Sequence, residues 1–168
     1  MSVQGLFKKG ISFMEFVNKD KDTYKERTLE IYNDIELDEA LQQEIKKVHE
    51  LVNILVVAEI WCPDCMINVP ALQKMTEINP NFVISIVARE GNEAFMDNYK
   101  MNGKIKVPTF VIMDKDFKTL GAFIEQPQIL KDIEEKGKQV EIIVAKRKYK
   151  KGEYIVETIK EILNMIKK

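Results

Sequence analysis

Ile54-Leu55-Val56-Val57-Ala58 runs through Glu59 and Ile60 into Trp61-Cys62-Pro63-Asp64-Cys65, which holds both cysteines of the chain. The apolar run has the length and composition of a buried central strand. Residues 62–78 follow with helical patterning: Met66, Val69, Leu72, Met75 and Ile78 recur every three residues. A C-x-x-C pair placed where a strand gives way to a helix reads as a redox motif. The opening turn of a helix has unpaired N–H groups, and its dipole favours a thiolate there. Residues three apart share a helix face. The two sulfurs can therefore close a disulfide without moving the backbone. Such a dithiol can attack a foreign disulfide through one sulfur and resolve the mixed disulfide with the other.

The W-C-x-x-C motif after a hydrophobic strand resembles the active site of the thioredoxin superfamily. Pro70, five residues beyond Cys65, matches the proline that kinks the active-site helix in that family. Val107-Pro108-Thr109 matches its cis-proline loop, and W-C-P-D-C is a variant known within the superfamily. The resemblance covers residues 37–126. It implies a thioredoxin-like α/β fold, a central mixed four-stranded sheet flanked by helices. Residues 1–36 and 127–168 are then helical N- and C-terminal extensions of a single domain.

The 168 residues suffice to bury a sizeable core. Net charge is −1, so no global field argues for nucleic acid or a membrane surface. No apolar run approaches the roughly 18 residues needed to span a bilayer. Residues 1–20 carry Lys8, Lys9 and Glu15 and no small-residue cleavage pattern, so they do not read as a signal peptide. Two cysteines spaced for catalysis fit a reducing, cytoplasmic setting better than a disulfide-stapled fold.

Before the motif, Ser12 and Glu15 have capping-box spacing, and Phe13, Phe16 and Val17 form an apolar patch. Residues 22–35 continue as charged helix. Residues 38–50 read as a helix capped by Asp38, with Leu41, Ile45 and Val48 on one stripe and His49 on its surface. After the motif, residues 82–88 read as a strand and 92–101 as a helix ended by Asn102-Gly103. Residues 109–113 and 117–124 read as a hairpin turning at Asp114-Lys115-Asp116. A long helical stretch runs from Gln126-Pro127 to about residue 150, with Gly137 a candidate break. Residues 154–166 close the chain as an amphipathic helix.

Cys62 is assigned as the exposed nucleophile and Cys65 as the buried resolving cysteine. Trp61 covers the dithiol and lines the substrate surface. Pro63 stiffens the first turn. Asp64, a carboxylate between the sulfurs, should disfavour the Cys62 thiolate and make the pair a reductant; the plainer reading is a solvated or helix-capping side chain. The resemblance implies a cis peptide bond at Pro108 that presents the Val107 backbone to substrate beside Cys62. The family carries a buried aspartate six residues before the first cysteine. Here that position is Val56, and Glu59 is the candidate substitute. The basic run 146–151 suits a helix C-terminus, not a nucleic-acid site.

The expectation is a thiol–disulfide oxidoreductase that reduces protein or small-molecule disulfides, holds no cofactor and draws electrons from a separate reductase. Two alternatives stand beside it. One is a non-catalytic binding module on the same fold, with its function in the extensions. The other is a dimer holding a metal through shared C-x-x-C pairs, since one chain cannot supply the four Cys or His ligands of a structural site.

Overall fold

Val52–Val57 form β1, and all six of these residues are buried. The strand sits inside a four-stranded sheet of order β2-β1-β3-β4, which requires an apolar run on both faces. β2 (Phe82–Val87) runs parallel to β1, with Ile54 opposite Ile84. β3 (Thr109–Met113) runs antiparallel to β1 on its other side, with Ile54 opposite Ile112. β4 (Thr119–Ile124) returns beside β3, and Phe110 and Phe123 stack across that pair at 5.0 Å. This is the expected mixed sheet flanked by helices. The computed structural model describes residues 1–167.

The N-terminal residues form α1 (Val3–Lys9), α2 (Phe13–Val17) and α3 (Thr23–Asp34). The expected capping box is present: Glu15 N–H donates to Ser12 Oγ and Ser12 N–H to Glu15 Oε1. Between α1 and α2, Ile11 pairs with Ile86, its N–H reaching the Ile86 carbonyl at 2.8 Å. The segment thus adds one bridge to the β2 edge, which the sequence reading did not anticipate.

α4 (Glu39–Lys46) is capped by Asp38 Oδ1, which accepts from Leu41 N–H at 2.8 Å. It ends four residues before the expected limit, so His49 lies in exposed chain past the helix, not on it. The reason lies across the fold. Asn79 Nδ2 donates to the Ile45 and Val48 carbonyls, and Asn81 Nδ2 to those of Val48 and His49. These side chains satisfy the carbonyls that a longer helix would have used.

α5 (Pro63–Ile78) carries the motif and is buried well beyond its three-residue stripe. α3 packs on one side of it and α9 (Ile155–Ile166) on another, so Asn68, Pro70 and Ala71 are also enclosed. Pro70 lies within α5, which continues as one helix to Ile78.

Two further boundaries differ from expectation. The helix expected over 92–101 is a short α6 (Glu93–Met96) followed by a 3₁₀ turn at Asp97–Tyr99. Only Met96 of that stretch is buried, so little apolar contact extends it. The hairpin turn runs further than expected: Asp114 Oδ1 accepts from both Asp116 and Lys118 N–H, Phe117 has φ 64°, and β4 starts at Thr119. The long C-terminal stretch divides at its candidate break, Gly137, into α7 (Gln128–Lys136) and α8 (Gln139–Lys150). A Cβ at Gly137 would lie 2.5 Å from the Ile133 carbonyl oxygen that its N–H caps. Among the described residues, no helix is long and apolar enough to cross a membrane.

Candidate active site

β1 ends at Val57, and the chain turns so that Cys62 becomes the N-cap of α5, with φ −80° and ψ 122°. Its sulfur accepts from Cys65 N–H at 3.4 Å, using one of the free donors of the first turn. Pro63 follows where its missing N–H leaves nothing unpaired. Both cysteines are free thiols. The Val107–Pro108 peptide bond is cis, and the Cys62 thiol donates to the Val107 carbonyl at 3.5 Å. The loop that the sequence set apart from the motif by about 40 residues therefore closes over the first sulfur.

Cys62 is less open than expected. It is only 5% exposed, because the Val107 loop lies against its sulfur, whereas Trp61 is 51% exposed. Trp61 thus stands out from the surface beside the thiol. Cys65 is fully buried beneath.

The two thiols are electrostatically unlike. The Cys65 thiol beside it holds Cys62 below the ordinary thiol value, against burial and the Asp64 charge, which both push it up. Burial pushes Cys65 well above the ordinary value, and Cys62 adds to this. Asp64 therefore opposes the Cys62 thiolate as expected, but the neighbouring thiol and the helix terminus outweigh it.

Asp64 is not the N-cap, and its carboxylate is engaged within the protein. It is partly buried, and its Oδ1 accepts from the Tyr149 hydroxyl at 2.6 Å and from Gln126 Nε2 at 3.2 Å. Tyr149 also accepts from Asn68 Nδ2 at 2.8 Å, and Thr158 donates to Asn68 Oδ1 at 2.8 Å. Asn68 further donates to the Asp64 carbonyl at 2.9 Å, one helical turn back. None of Tyr149, Gln126, Asn68 or Thr158 was among the candidate residues. Two signals pointed there: an asparagine between Ile67 and Val69, four residues after Asp64, and one tyrosine inside the basic run 146–151.

Val56, where the family has its buried aspartate, is a fully buried apolar residue of β1. The Glu59 backbone adjoins the cysteines, its carbonyl accepting from Cys62 N–H at 3.1 Å and its backbone bonding the Cys65 thiol, but its carboxylate is engaged elsewhere: Oε1 accepts from Arg89 N–H at 2.8 Å, just past β2. The carboxylate whose charge bears on Cys65 is that of Asp64.

Two open clefts border the site. One of about 290 Å³ is lined by Glu59, Trp61, Arg89, Glu90 and Glu93. The other, of about 540 Å³, includes Lys106, Glu125 and Gln126. Among the described residues, no three Cys, His, Asp or Glu side chains converge as metal ligands.

Comparison with known proteins agrees with this architecture. A family model described as thioredoxin matches residues 10–141. A crystal structure of a protein of unknown function from Pseudomonas aeruginosa is 28% identical, with a TM-score of 0.88, covering 99% of this chain and 98% of that one. An HIV epitope-scaffold is 26% identical, with a TM-score of 0.87 and the same coverage. No curated protein matches the chain.

Proposed function

The chain belongs to the thioredoxin family, and from that premise we propose that it is a thiol–disulfide oxidoreductase working as a disulfide reductase. The observation that carries the reading is the joint placement of three groups. The Cys62 sulfur sits at the head of α5, the Cys65 N–H points to it at 3.4 Å, and the Val107 carbonyl faces it at 3.5 Å.

The reaction follows from that placement. The Cys62 thiolate attacks one sulfur of the substrate disulfide, that bond breaks, and the first substrate thiolate leaves and takes a proton from water. Cys65 then gives up its proton to water and attacks the Cys62 sulfur, the mixed disulfide breaks, and the second substrate thiolate departs and takes up a proton in turn. Two electrons have passed to the substrate, and the protein is left with a Cys62–Cys65 disulfide. The asymmetry of the thiols supports this order: the lowered one begins, and the raised one waits as a neutral thiol.

Trp61 and the backbone of Val107 supply the docking surface, where an extended substrate strand can pair beside Cys62. The protein holds no cofactor. A separate reductase restores the dithiol, in a reducing compartment such as the cytoplasm.

The test is reduction of an exposed protein disulfide, such as insulin's, with a small dithiol as electron source. The wild type accelerates it, Cys62→Ser does not, and Cys65→Ser stalls as a mixed disulfide visible by mass. A wild type no faster than Cys62→Ser overturns the reading.

A further inference from the structure

A run of buried hydrogen bonds with one direction leads to the motif, with branches from Asn68 to the Asp64 and Glu125 carbonyls at 2.9 and 3.4 Å. Thr158 of α9 donates to Asn68 of α5, Asn68 donates to Tyr149 of α8, and Tyr149 donates to Asp64, at 2.8, 2.8 and 2.6 Å. Thr158 and Asn68 are completely buried and Tyr149 nearly so. Every member has a partner, and the run ends on the carboxylate of Asp64, the residue just before Cys65 in the motif. Buried polar chains of this kind fix their members in one geometry.

We propose that Tyr149 is a positioning residue: its hydroxyl holds the Asp64 carboxylate against the Cys62–Cys65 pair, so that the C-terminal helix α8 sets the reactivity of the thiols. This rests on the exchange reading of the same site.

The Asp64 charge survives only where donors support it. A carboxylate withdrawn from water takes up a proton unless donors support it. Burial pushes Asp64 upward, and the bonds from Tyr149 and Gln126 act against that. The other charges that face it are Glu125, just past β4, and Lys106, just before the Val107 loop. These two pair with each other at 3.3 Å and act on Asp64 in opposite senses. From α5 itself the facing groups are the two thiols. α9 presents only the neutral Thr158, and α8 only Tyr149, to this network. Tyr149 is thus the close donor that keeps a negative charge beside both sulfurs. That charge raises Cys62 and Cys65 alike. Removing the hydroxyl lets Asp64 take a proton more readily and frees the Cys62 thiolate from opposition.

The test reads the midpoint of Cys62 alkylation by iodoacetamide against pH in full-length reduced protein, so it needs no substrate turnover. Asp64→Asn is expected to lower the midpoint by about one pH unit, which is about tenfold more thiolate at a fixed pH below both midpoints. Tyr149→Phe should shift it in the same direction by less. The double variant should match Asp64→Asn alone, because Tyr149 acts through Asp64. If Tyr149→Phe does not fold, Gln126→Leu removes the second donor from a partly exposed position and should lower the midpoint only while Asp64 is present. A midpoint unmoved by the folded variant, or moved equally with and without Asp64, overturns the proposal. Midpoints that move as stated in a protein that reduces no disulfide would leave the positioning role standing and remove the exchange reading.

Discussion

The Cys62 sulfur lies 3.5 Å from the Val107 carbonyl oxygen, a contact between residues 45 apart in sequence that brings the family's proline loop onto the nucleophile. It leaves Cys62 5% exposed above a Cys65 with no exposure at all. Alkylating agents should therefore distinguish the two thiols. In the folded reduced protein at neutral pH, iodoacetamide should label Cys62 at least about tenfold faster, since the thiolate is the nucleophile and Cys62 is the lowered thiol. A Cys62→Ser protein should stay unlabelled until denatured. Mass spectrometry of timed samples checks both points, and equal labelling rates would contradict the geometry.

The raised Cys65 and Tyr149 make stability fall at alkaline pH. Unfolded Cys65 loses its proton near 9.0 and unfolded Tyr149 near 10.0, whereas both stay protonated to higher pH in the fold. The unfolded chain then binds fewer protons, and stability decreases as pH rises. Their contribution is present in full below about 9 and is lost as pH climbs toward the folded values. Thermal melts of the reduced protein from pH 7 to 11 should show the decline. Cys65→Ala should flatten its lower part and Tyr149→Phe its upper part.

The polar run that leads to the motif should be costly to interrupt. Asn68→Ala leaves Thr158 without its acceptor and takes from Tyr149 its donor and from the Asp64 carbonyl one of its bonds, and an unsatisfied buried group costs about 1–3 kcal/mol. The expected loss is about 2–5 kcal/mol by urea denaturation at neutral pH. Thr158→Val removes one donor to Asn68 and should cost less, about 1–2 kcal/mol. A loss near zero for Asn68→Ala would mean that the network does not hold α8 and α9 to α5.

Gly10 fixes the N-terminal segment to the sheet. A Cβ there would run into Ser85 Oγ and lie 2.9 Å from the Ile86 backbone nitrogen, next to the Ile11–Ile86 bridge. Gly10→Ala should destabilise the protein by about 1–3 kcal/mol, the usual range for overpacking. Amide exchange at Ile11 and Ile86 should accelerate more than at β1. Unchanged protection at Ile86 would contradict this docking.

What could be read in the chain is what local chemistry encodes. The run 52–57 names a central strand because both its faces are buried, and W-C-P-D-C names the helix start because only there do a strand end, a proline and two cysteines coincide. The Ser12–Glu15 and Asp38–Leu41 caps are three-residue signals and were legible for that reason. The misses are long-range. Asn68 falls off the apolar stripe of α5, and only the arrival of α9 over that side makes it a buried residue. Tyr149 meets Asp64 from 85 residues away, and no periodicity reports such a meeting. The end of α4 was misplaced because Asn79 and Asn81, more than 30 residues on, take its carbonyls.

The most direct measurement is a redox titration of the Cys62–Cys65 pair in buffers of defined dithiol potential, with free thiols trapped and counted by mass. One two-electron transition is expected, with a midpoint nearer thioredoxin's value of about −270 mV than the roughly −120 mV of a strong oxidant, since the Asp64 charge limits how far the lowered Cys62 thiol stabilises the reduced form. A midpoint near −120 mV would contradict the reductase reading, and a pair that forms no disulfide at any potential would contradict dithiol exchange itself.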